Sequence, residues 1–250
     1  MAKTVLITGA SSGLGAETAR QFGTAGFNVV VNYYHHQAAA DKVVAQIGSD
    51  HAIAIQADVR NRDAVDQMVN STIDKFGSLD VVVNNALVGF KFDPVKQKAF
   101  KDLSWDDYQK QIDGTLKGAF NVIQSALPEM VKNHYGKVVS IGTNLFQNPV
   151  VPYHEYTTAK AALIGFTRNL AAELGEDGIS FNMVSGGLLR TTNASSVTTP
   201  EVFDLIATQT PLKEVTTPEQ VAKMVLFLGS PESDGITGQN YTVDGGLTMN

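Results

Sequence analysis

The stretch TVLITGASSGLG, residues 4–15, decides the fold. A short apolar run leads into a turn with glycines at positions 9, 13 and 15, and an amphipathic segment begins near Leu14. Glycines let a backbone turn tightly and approach a phosphate, and the free N–H groups at a helix start bind anions. A strand, a glycine turn and a helix N-terminus in this order predict a dinucleotide-binding unit, although the spacing is G-x-x-x-G-x-G rather than G-x-G-x-x-G.

The same alternation of β-branched runs and longer amphipathic segments continues along all 250 residues. Runs such as VVV at 29–31 and 81–83 are continuously apolar, which is typical of strands buried on both faces of a parallel sheet. We therefore predict one α/β domain over 1–250, a Rossmann-type doubly wound parallel sheet of about seven strands with helices on both faces. Predicted strands are 4–7, 28–32, 52–56, 79–83, 137–141, 180–184 and 240–243, and predicted helices are 14–24, 37–47, 61–76, 104–132, 154–175 and 218–229.

Composition excludes several classes of function. The net charge is −6 and no run of Lys or Arg occurs, so nucleic acid is not expected as a partner. There is no cysteine, which rules out disulfides and thiol chemistry. No apolar stretch is long enough to span a membrane, and the N-terminal apolar run is too short for a signal peptide. We predict a cytoplasmic protein without membrane or metal partners.

A candidate proton-transfer pair lies in YTTAK, where Tyr156 and Lys160 are four residues apart. On a helix this spacing puts both side chains on one face. A neighbouring cation lowers the pKa of a phenol, which would make the tyrosine a usable acid and base near neutrality. Thr143, thirteen residues before Tyr156, offers a hydroxyl. An isolated pair of this kind is more often part of a surface helix, so its meaning depends on the rest of the chain.

The cofactor end is predicted from the residues that follow each strand. An acidic residue after the second strand would bind the ribose hydroxyls of NAD, but this chain has Asn-Tyr-Tyr-His-His at 32–36. The absence of a carboxylate there favours NADP (as NADPH) over NAD. The candidate cofactor-binding residues are Gly9, Ser11, Ser12, Gly13, Leu14, Gly15, Asn32, Tyr33, Asp58, Val59, Asn84, Asn85, Ala86, Tyr156, Lys160, Gly187, Leu189 and Thr191.

Together these motifs resemble the short-chain dehydrogenase/reductase family over essentially the whole chain. The resemblance includes TGASSGLG, Asp58, NNA at 84–86, Thr143, YTTAK and DGG at 244–246. The stretches AKAALIGFTRNLAAELGEDGISFN and ITGQNYTVDGG look most like the 3-oxoacyl-(acyl-carrier-protein) reductases. The resemblance implies NAD(P) use, a homo-oligomer (tetramer or dimer), Tyr156 as general acid/base, Lys160 on the nicotinamide ribose, and Thr143 orienting the substrate carbonyl.

The chain departs from the family pattern around this set. Thr143 replaces a serine, Leu87 a glycine, and Gly186-Gly187 a Pro-Gly. The helix asparagine that supports a water chain to the lysine corresponds to Thr115 when counted back from Gly136, so Thr115 is a further candidate catalytic residue. The region 88–103, GFKFDPVKQKAFKDLS, is longer than usual and is read as a substrate-side insertion or an altered subunit contact.

The leading functional prediction is an NADPH-dependent reductase of a ketone, with a 3-oxoacyl thioester or related hydrophobic carbonyl as substrate, free or linked to a carrier protein. The alternatives are an NAD(P)-dependent alcohol or sugar dehydrogenase and, in another class, a low-turnover NADP-binding regulatory protein. The predicted substrate loop spans about 185–215, and Arg190 or the lysines of the insertion could bind an anionic group. Apolar candidates near the substrate are Leu87, Val88, Leu145, Phe146, Val150, Val151, Leu188 and Leu189.

Overall fold

A computed structural model describes residues 2–93, 96–190, 192 and 194–249. These residues form a seven-stranded sheet in the order β3-β2-β1-β4-β5-β6-β7, and every neighbouring pair is parallel. The strands are β1 (Thr4–Ile7), β2 (Asn28–Tyr33), β3 (Ala52–Gln56), β4 (Val81–Asn84), β5 (Gly136–Thr143), β6 (Ile179–Gly186) and β7 (Asn240–Val243). The predicted doubly wound parallel sheet is confirmed.

Helices cover both faces of the sheet and bury its continuous apolar runs. One core cluster joins one face to α1, α2 and α8, and the other joins the opposite face to α3, α5 and α6. The helices are α1 (Gly13–Thr24), α2 (Gln37–Ile47), α3 (Arg62–Phe76), α4 (Trp105–Ile112), α5 (Gly118–Asn133), α6 (His154–Leu174), α7 (Pro200–Gln209) and α8 (Pro218–Leu228). Within the described part of the chain, no helix has both the length and the apolar character needed to cross a membrane.

The strand order places the site. The chain runs outward from β1 through β2 to β3, and then returns to the other side of β1 as β4. In open parallel sheets, ligands bind at the carboxyl ends of strands where the order reverses in this way. The segments after β1 and β4 lie against each other there, since a Cβ added to Gly9 would be 3.0 Å from the Cα of Ala86.

One helix prediction and one loop prediction are wrong in detail. The predicted helix 104–132 is divided by a π-helical turn, Asp113–Lys117. Gly114 has weak helix propensity and lets Val88 pack against this turn, because an added Cβ would be 2.6 Å from the Val88 Cβ. The predicted loop 185–215 contains α7, which begins at Pro200 directly after Thr199. Proline at the first helical position is a start signal that the prediction of one loop over 185–215 overlooked.

Candidate active site

A cavity of about 570 Å³ follows the carboxyl ends of β1, β2, β4, β5 and β6. It extends from the glycine turn after β1 to the pair on α6. The predicted residues that line it are Gly9, Ser11, Ser12, Gly13, Leu14, Gly15, Asn32, Tyr33, Asp58, Val59, Asn85, Ala86, Tyr156, Lys160, Gly187 and Leu189. Asn84, Thr143 and Thr115 are not among its lining residues, and Thr191 lies outside the described residues.

The glycine turn has the space and the backbone conformation that a pyrophosphate needs. Gly9 and Gly13 adopt φ angles of 63° and 56°, which side-chain-bearing residues rarely adopt. Gly15 leaves no room for a side chain: an added Cβ would be 2.5 Å from Asn85 Nδ2 and 2.6 Å from the Gly9 carbonyl oxygen. The turn opens directly into α1, whose N-terminal N–H groups favour an anion. These residues fit a dinucleotide.

Two asparagines predicted to bind the cofactor also brace the turn. The Asn32 Oδ1 accepts from the Gly9 N–H at 3.1 Å, and its Nδ2 donates to the carbonyls of Ile55 and Ala57. The Asn85 Nδ2 donates to the carbonyls of Thr8 and Gly9. The hydrogen bonds of both side chains therefore hold together the loops after β1, β2 and β4.

The nucleoside end of the cavity carries one ion pair. Arg60 contacts Asp58 through both carboxylate oxygens, with an Nη2–Oδ2 distance of 2.7 Å. These hydrogen bonds hold the pKa of Asp58 below its usual value. Tyr34, His35 and His36 complete the wall. Among the described lining residues, Asp58 is the one carboxylate, and Arg60 offsets its charge.

The three predicted catalytic groups meet at the other end. Tyr156 and Lys160 lie one turn apart on α6, and Thr143 ends β5. The Tyr156 hydroxyl is hydrogen-bonded to the Thr143 hydroxyl, and the Lys160 ammonium donates to the Ile141 carbonyl at 2.7 Å. All three residues are at least 95% buried, with Tyr156 5% exposed.

Burial changes the proton chemistry in the direction opposite to the prediction. It raises the pKa of the Tyr156 phenol to about 12, while the hydrogen bond with Thr143 acts to lower it. It also lowers the pKa of the Lys160 ammonium to about 8. The predicted depression of the tyrosine pKa is therefore wrong, because desolvation exceeds the effect of the neighbouring groups.

The Lys160 shift makes stability depend on pH. An unfolded lysine titrates near its usual pKa of about 10.4, so between about pH 8 and that value the unfolded state binds more protons and stability rises with pH. We expect the unfolding free energy of the wild type, relative to Lys160→Met, to increase by about 2–3 kcal/mol from about pH 7 to about pH 10. Denaturant titrations of both proteins measure this.

The measurement stops near pH 10 because the raised pKa of Tyr156 has the opposite sign above that value. Lys101→Met, which removes an exposed lysine, serves as the matched control. If the unfolding free energies of the wild type and Lys160→Met changed with pH in parallel, the burial of a titrating lysine would be contradicted.

A second, small cavity of about 10 Å³ lies behind Lys160 and is lined by Asn84 and Thr115. The side-chain oxygen and nitrogen of Asn84 and the hydroxyl of Thr115 are buried there without a hydrogen-bond partner. The space is close to that of one water, and such groups are the partners a buried water requires. Thr115 stands in the π-helical turn, a deformation common at functional sites.

An aromatic cluster, which sequence reasoning missed, covers Tyr156. The ring of Phe90 stacks on the Tyr156 ring with centroids 4.3 Å apart and planes at 12°, and Phe92 and Tyr153 meet Phe90 edge-on. Leu87, Leu145 and Val151 pack around these rings. The pattern GFKF at 89–92 is the signal in the sequence, but its partners are about 60 residues away.

The predicted anion-binding residues lie mostly elsewhere. Arg190 is half exposed, 3.6 Å from Asp204, and does not line the cavity. Lys98 is paired with Asp107 at 2.8 Å, whereas Lys91 lines the cavity.

The fold and this cavity define a nicotinamide-dinucleotide-dependent oxidoreductase, and the comparisons agree. The model of a family described as enoyl-(acyl carrier protein) reductase matches residues 9–248. The chain is 37% identical over 253 residues to a 3-oxoacyl-[acyl-carrier-protein] reductase of Synechocystis sp., with 99% of this chain and 98% of the relative covered. The 3-oxoacyl-[acyl-carrier-protein] reductase FabG of Staphylococcus aureus is 36% identical, with 100% and 99% covered.

Two further matches have names other than 3-oxoacyl reductase. The (2S)-[(R)-hydroxy(phenyl)methyl]succinyl-CoA dehydrogenase subunit BbsD of Thauera aromatica is 35% identical, with 99% of this chain and 97% of the relative covered. A Brucella melitensis structure titled short-chain dehydrogenase/reductase, glucose/ribitol dehydrogenase, superposes with a TM-score of 0.88 at 27% identity, covering 99% and 97% of the two chains. The chain belongs to the short-chain dehydrogenase/reductase family and is an NAD(P)-dependent oxidoreductase.

Proposed function

We propose that this protein is an NADPH-dependent reductase of a hydrophobic ketone, and that the leading substrate is a 3-oxoacyl thioester. The observation that carries the proposal is the hydrogen-bonded Tyr156–Thr143 pair beside Lys160, at the end of a cavity that begins at the glycine turn. The names of the reductases from Synechocystis and Staphylococcus aureus support the substrate class. The apolar groups around Tyr156 favour a hydrophobic carbonyl over a free sugar.

The residues divide the work between binding and proton supply. When bound, the reduced nicotinamide supplies the hydride. The glycine turn and the start of α1 would hold the pyrophosphate, and Lys160 would bind the ribose. The Thr143 hydroxyl orients the carbonyl oxygen, and Tyr156 donates a proton to that oxygen as negative charge develops on it. Asn84 and Thr115 hold one water behind Lys160, so the supporting amide is supplied from β4.

NADPH is proposed over NADH because the nucleoside end has no free carboxylate. Asp58 is engaged by Arg60, and the neighbouring wall is formed by Tyr34, His35 and His36. A carboxylate at the end of β2 would repel a 2′-phosphate, whereas Tyr34, His35 and His36 leave that position free of negative charge.

Thr143 provides a test of the hydroxyl requirement. Thr143→Ser keeps the hydrogen bond to Tyr156 and should retain most activity, whereas Thr143→Ala should lower turnover by about 10²–10³-fold. Steady-state kinetics of both variants measure this. If Thr143→Ala were more active than Thr143→Ser, catalysis would not depend on the hydroxyl at position 143.

A homo-oligomer, a dimer or a tetramer, is part of the proposal. The aromatic side chains of Trp105 on α4 and Phe120 on α5 are 68% and 44% exposed in the single chain. Apolar surface of this kind is typical of interfaces. Light scattering in solution gives the mass, and a monomer would contradict this part of the proposal.

A thioester with a phenyl group beside its carbonyl is a second candidate substrate. The name of the Thauera aromatica relative supports it, as does the flat ring of Phe90 on Tyr156. The oxidising direction on an alcohol or a sugar and a low-turnover binding role are the remaining alternatives. Oxidation of NADPH and of NADH in parallel against acetoacetyl thioesters, phenyl ketones, simple ketones and sugars separates them. Activity with NADH alone, or with sugars alone, would overturn the leading proposal.

A further inference from the structure

The ring of Phe90 occupies the space beside the proposed proton donor. It lies face-on against Tyr156 at 4.3 Å, and Phe92 meets Tyr156 at 5.4 Å with planes at 84°. Tyr156 is 5% exposed as a result of its packing among these rings, Tyr153 and Leu145. Phe90 itself is only partly buried, although it faces the cavity. A substrate carbonyl that reaches Tyr156 must take over some of this space.

The backbone around Phe90 is anchored on both sides but not at Phe90. On one side, the Gln111 Nε2 donates to the Val88 carbonyl at 3.2 Å, and Val88 packs against Gly114. On the other, the Phe92 N–H donates to the Ala194 carbonyl at 2.9 Å. Gly89 lies between, with a φ of 64° and nothing within 4 Å of an added Cβ. Coupled changes in the torsion angles of Gly89 and the residues between it and Phe92 can move the Phe90 ring while both anchors stay in place.

We propose that Phe90 selects the substrate: its ring covers Tyr156 in the resting protein and yields to carbonyl compounds whose apolar group can replace it. This inference rests on the proposed carbonyl reduction. Moving a phenyl ring out of its packing costs free energy, which a long acyl chain or an aryl group recovers because the displaced ring packs against it. A small ketone or a sugar recovers little of this free energy. Its apparent affinity is therefore reduced to that expected if only the small fraction of the protein with Tyr156 uncovered could bind it.

The test compares two substrates in three proteins. The substrates are a small 3-oxo thioester and one bearing a phenyl or long acyl group. In the wild type we expect kcat/KM to favour the large substrate by at least about tenfold, the lower limit for one buried phenyl ring. Phe90→Ala should raise kcat/KM for the small substrate by about 10–100-fold and change the large one little. Phe100→Ala, which removes an exposed ring from the same segment, 88–103, should behave as the wild type.

A second readout does not depend on turnover. In a protein with carbon-13-labelled tyrosines, the Tyr156 resonance is identified by its loss in Tyr156→Phe. Removing the Phe90 ring reduces the burial that raises the pKa of this phenol, so Phe90→Ala should shift its titration to lower pH. Phe90→Leu, which retains an apolar side chain, guards against misfolding and should show a smaller shift and an intermediate substrate ratio.

The outcomes distinguish this inference from the function on which it rests. An active wild type whose substrate ratio is unchanged by Phe90→Ala and Phe90→Leu would overturn the inference alone. A lower rate on both substrates in Phe90→Ala would show that the ring is a fixed wall of the site, and would also overturn it. Absence of reduction by every protein, with NADPH bound, would overturn the proposed function together with the inference.

Discussion

Tyr156→Phe is expected to lower the rate of ketone reduction by about 10²–10⁴-fold while leaving NADPH affinity close to that of the wild type. The change removes one oxygen atom and keeps the ring that packs against Phe90. The proton donor to the carbonyl oxygen is lost, whereas the glycine turn and Lys160 remain. Turnover by loss of nicotinamide absorbance and affinity by nicotinamide fluorescence separate the two effects.

Tyr135→Phe is the matched control, because Tyr135 precedes β5 and does not line the described cavity. It removes the same atom from a partly buried tyrosine and should leave turnover unchanged. Equal turnover of Tyr156→Phe and the wild type would contradict the role of Tyr156. Loss of NADPH binding by Tyr156→Phe would instead assign the tyrosine to the cofactor.

Gly15→Ala is expected to lower NADPH affinity by at least about tenfold and to destabilise the protein by about 1–3 kcal/mol. The added methyl group would be 2.6 Å from the Gly9 carbonyl oxygen and 2.5 Å from Asn85 Nδ2. The first of these atoms belongs to the backbone of the phosphate-binding turn, so relief of the contact displaces the turn itself. Fluorescence titration with NADPH and denaturant unfolding measure the two effects.

Gly165→Ala provides the control on α6, where an added Cβ meets nothing within 4 Å. Alanine is the better helix former by about 1 kcal/mol, so this variant should be equally or more stable and should bind NADPH normally. Normal NADPH binding by Gly15→Ala would contradict the placement of the pyrophosphate at this turn.

Features set by local spacing were predictable from the sequence. The glycine turn, the one-turn separation of Tyr156 and Lys160, and the continuous apolar strands each depend on residues close together in the chain. The parallel sheet follows from the repeated strand–helix order, since few connections satisfy the handedness rule. The sequence also indicated Thr143, because it stands thirteen residues before Tyr156.

Features set by contacts between distant segments were not predictable in the same way. Asn84 and Asn85 are adjacent, but successive residues of a strand point to opposite sides, so only Asn85 lines the large cavity. Phe90 reaches Tyr156 through a segment whose described residues next to Phe90 form neither helix nor strand. The direction of the tyrosine pKa shift depends on that burial, which spacing along α6 does not reveal.

The surroundings of Tyr156 decide the protonation state of its phenol. In the resting protein the tyrosine is covered, desolvated and hydrogen-bonded to Thr143, with its pKa raised to about 12. Proton donation to a carbonyl requires the neutral phenol, which a raised pKa preserves over the whole physiological range. The raised pKa is therefore compatible with reduction, the direction in which Tyr156 gives up a proton.

One measurement tests the central claim most directly: addition of an acetoacetyl thioester to the wild-type protein saturated with NADPH, followed by nicotinamide absorbance and by product analysis. We predict catalytic loss of NADPH, with one 3-hydroxyacyl thioester formed for each NADPH consumed. Stoichiometric NADPH binding without oxidation, for this thioester and for larger apolar ketones alike, would contradict it.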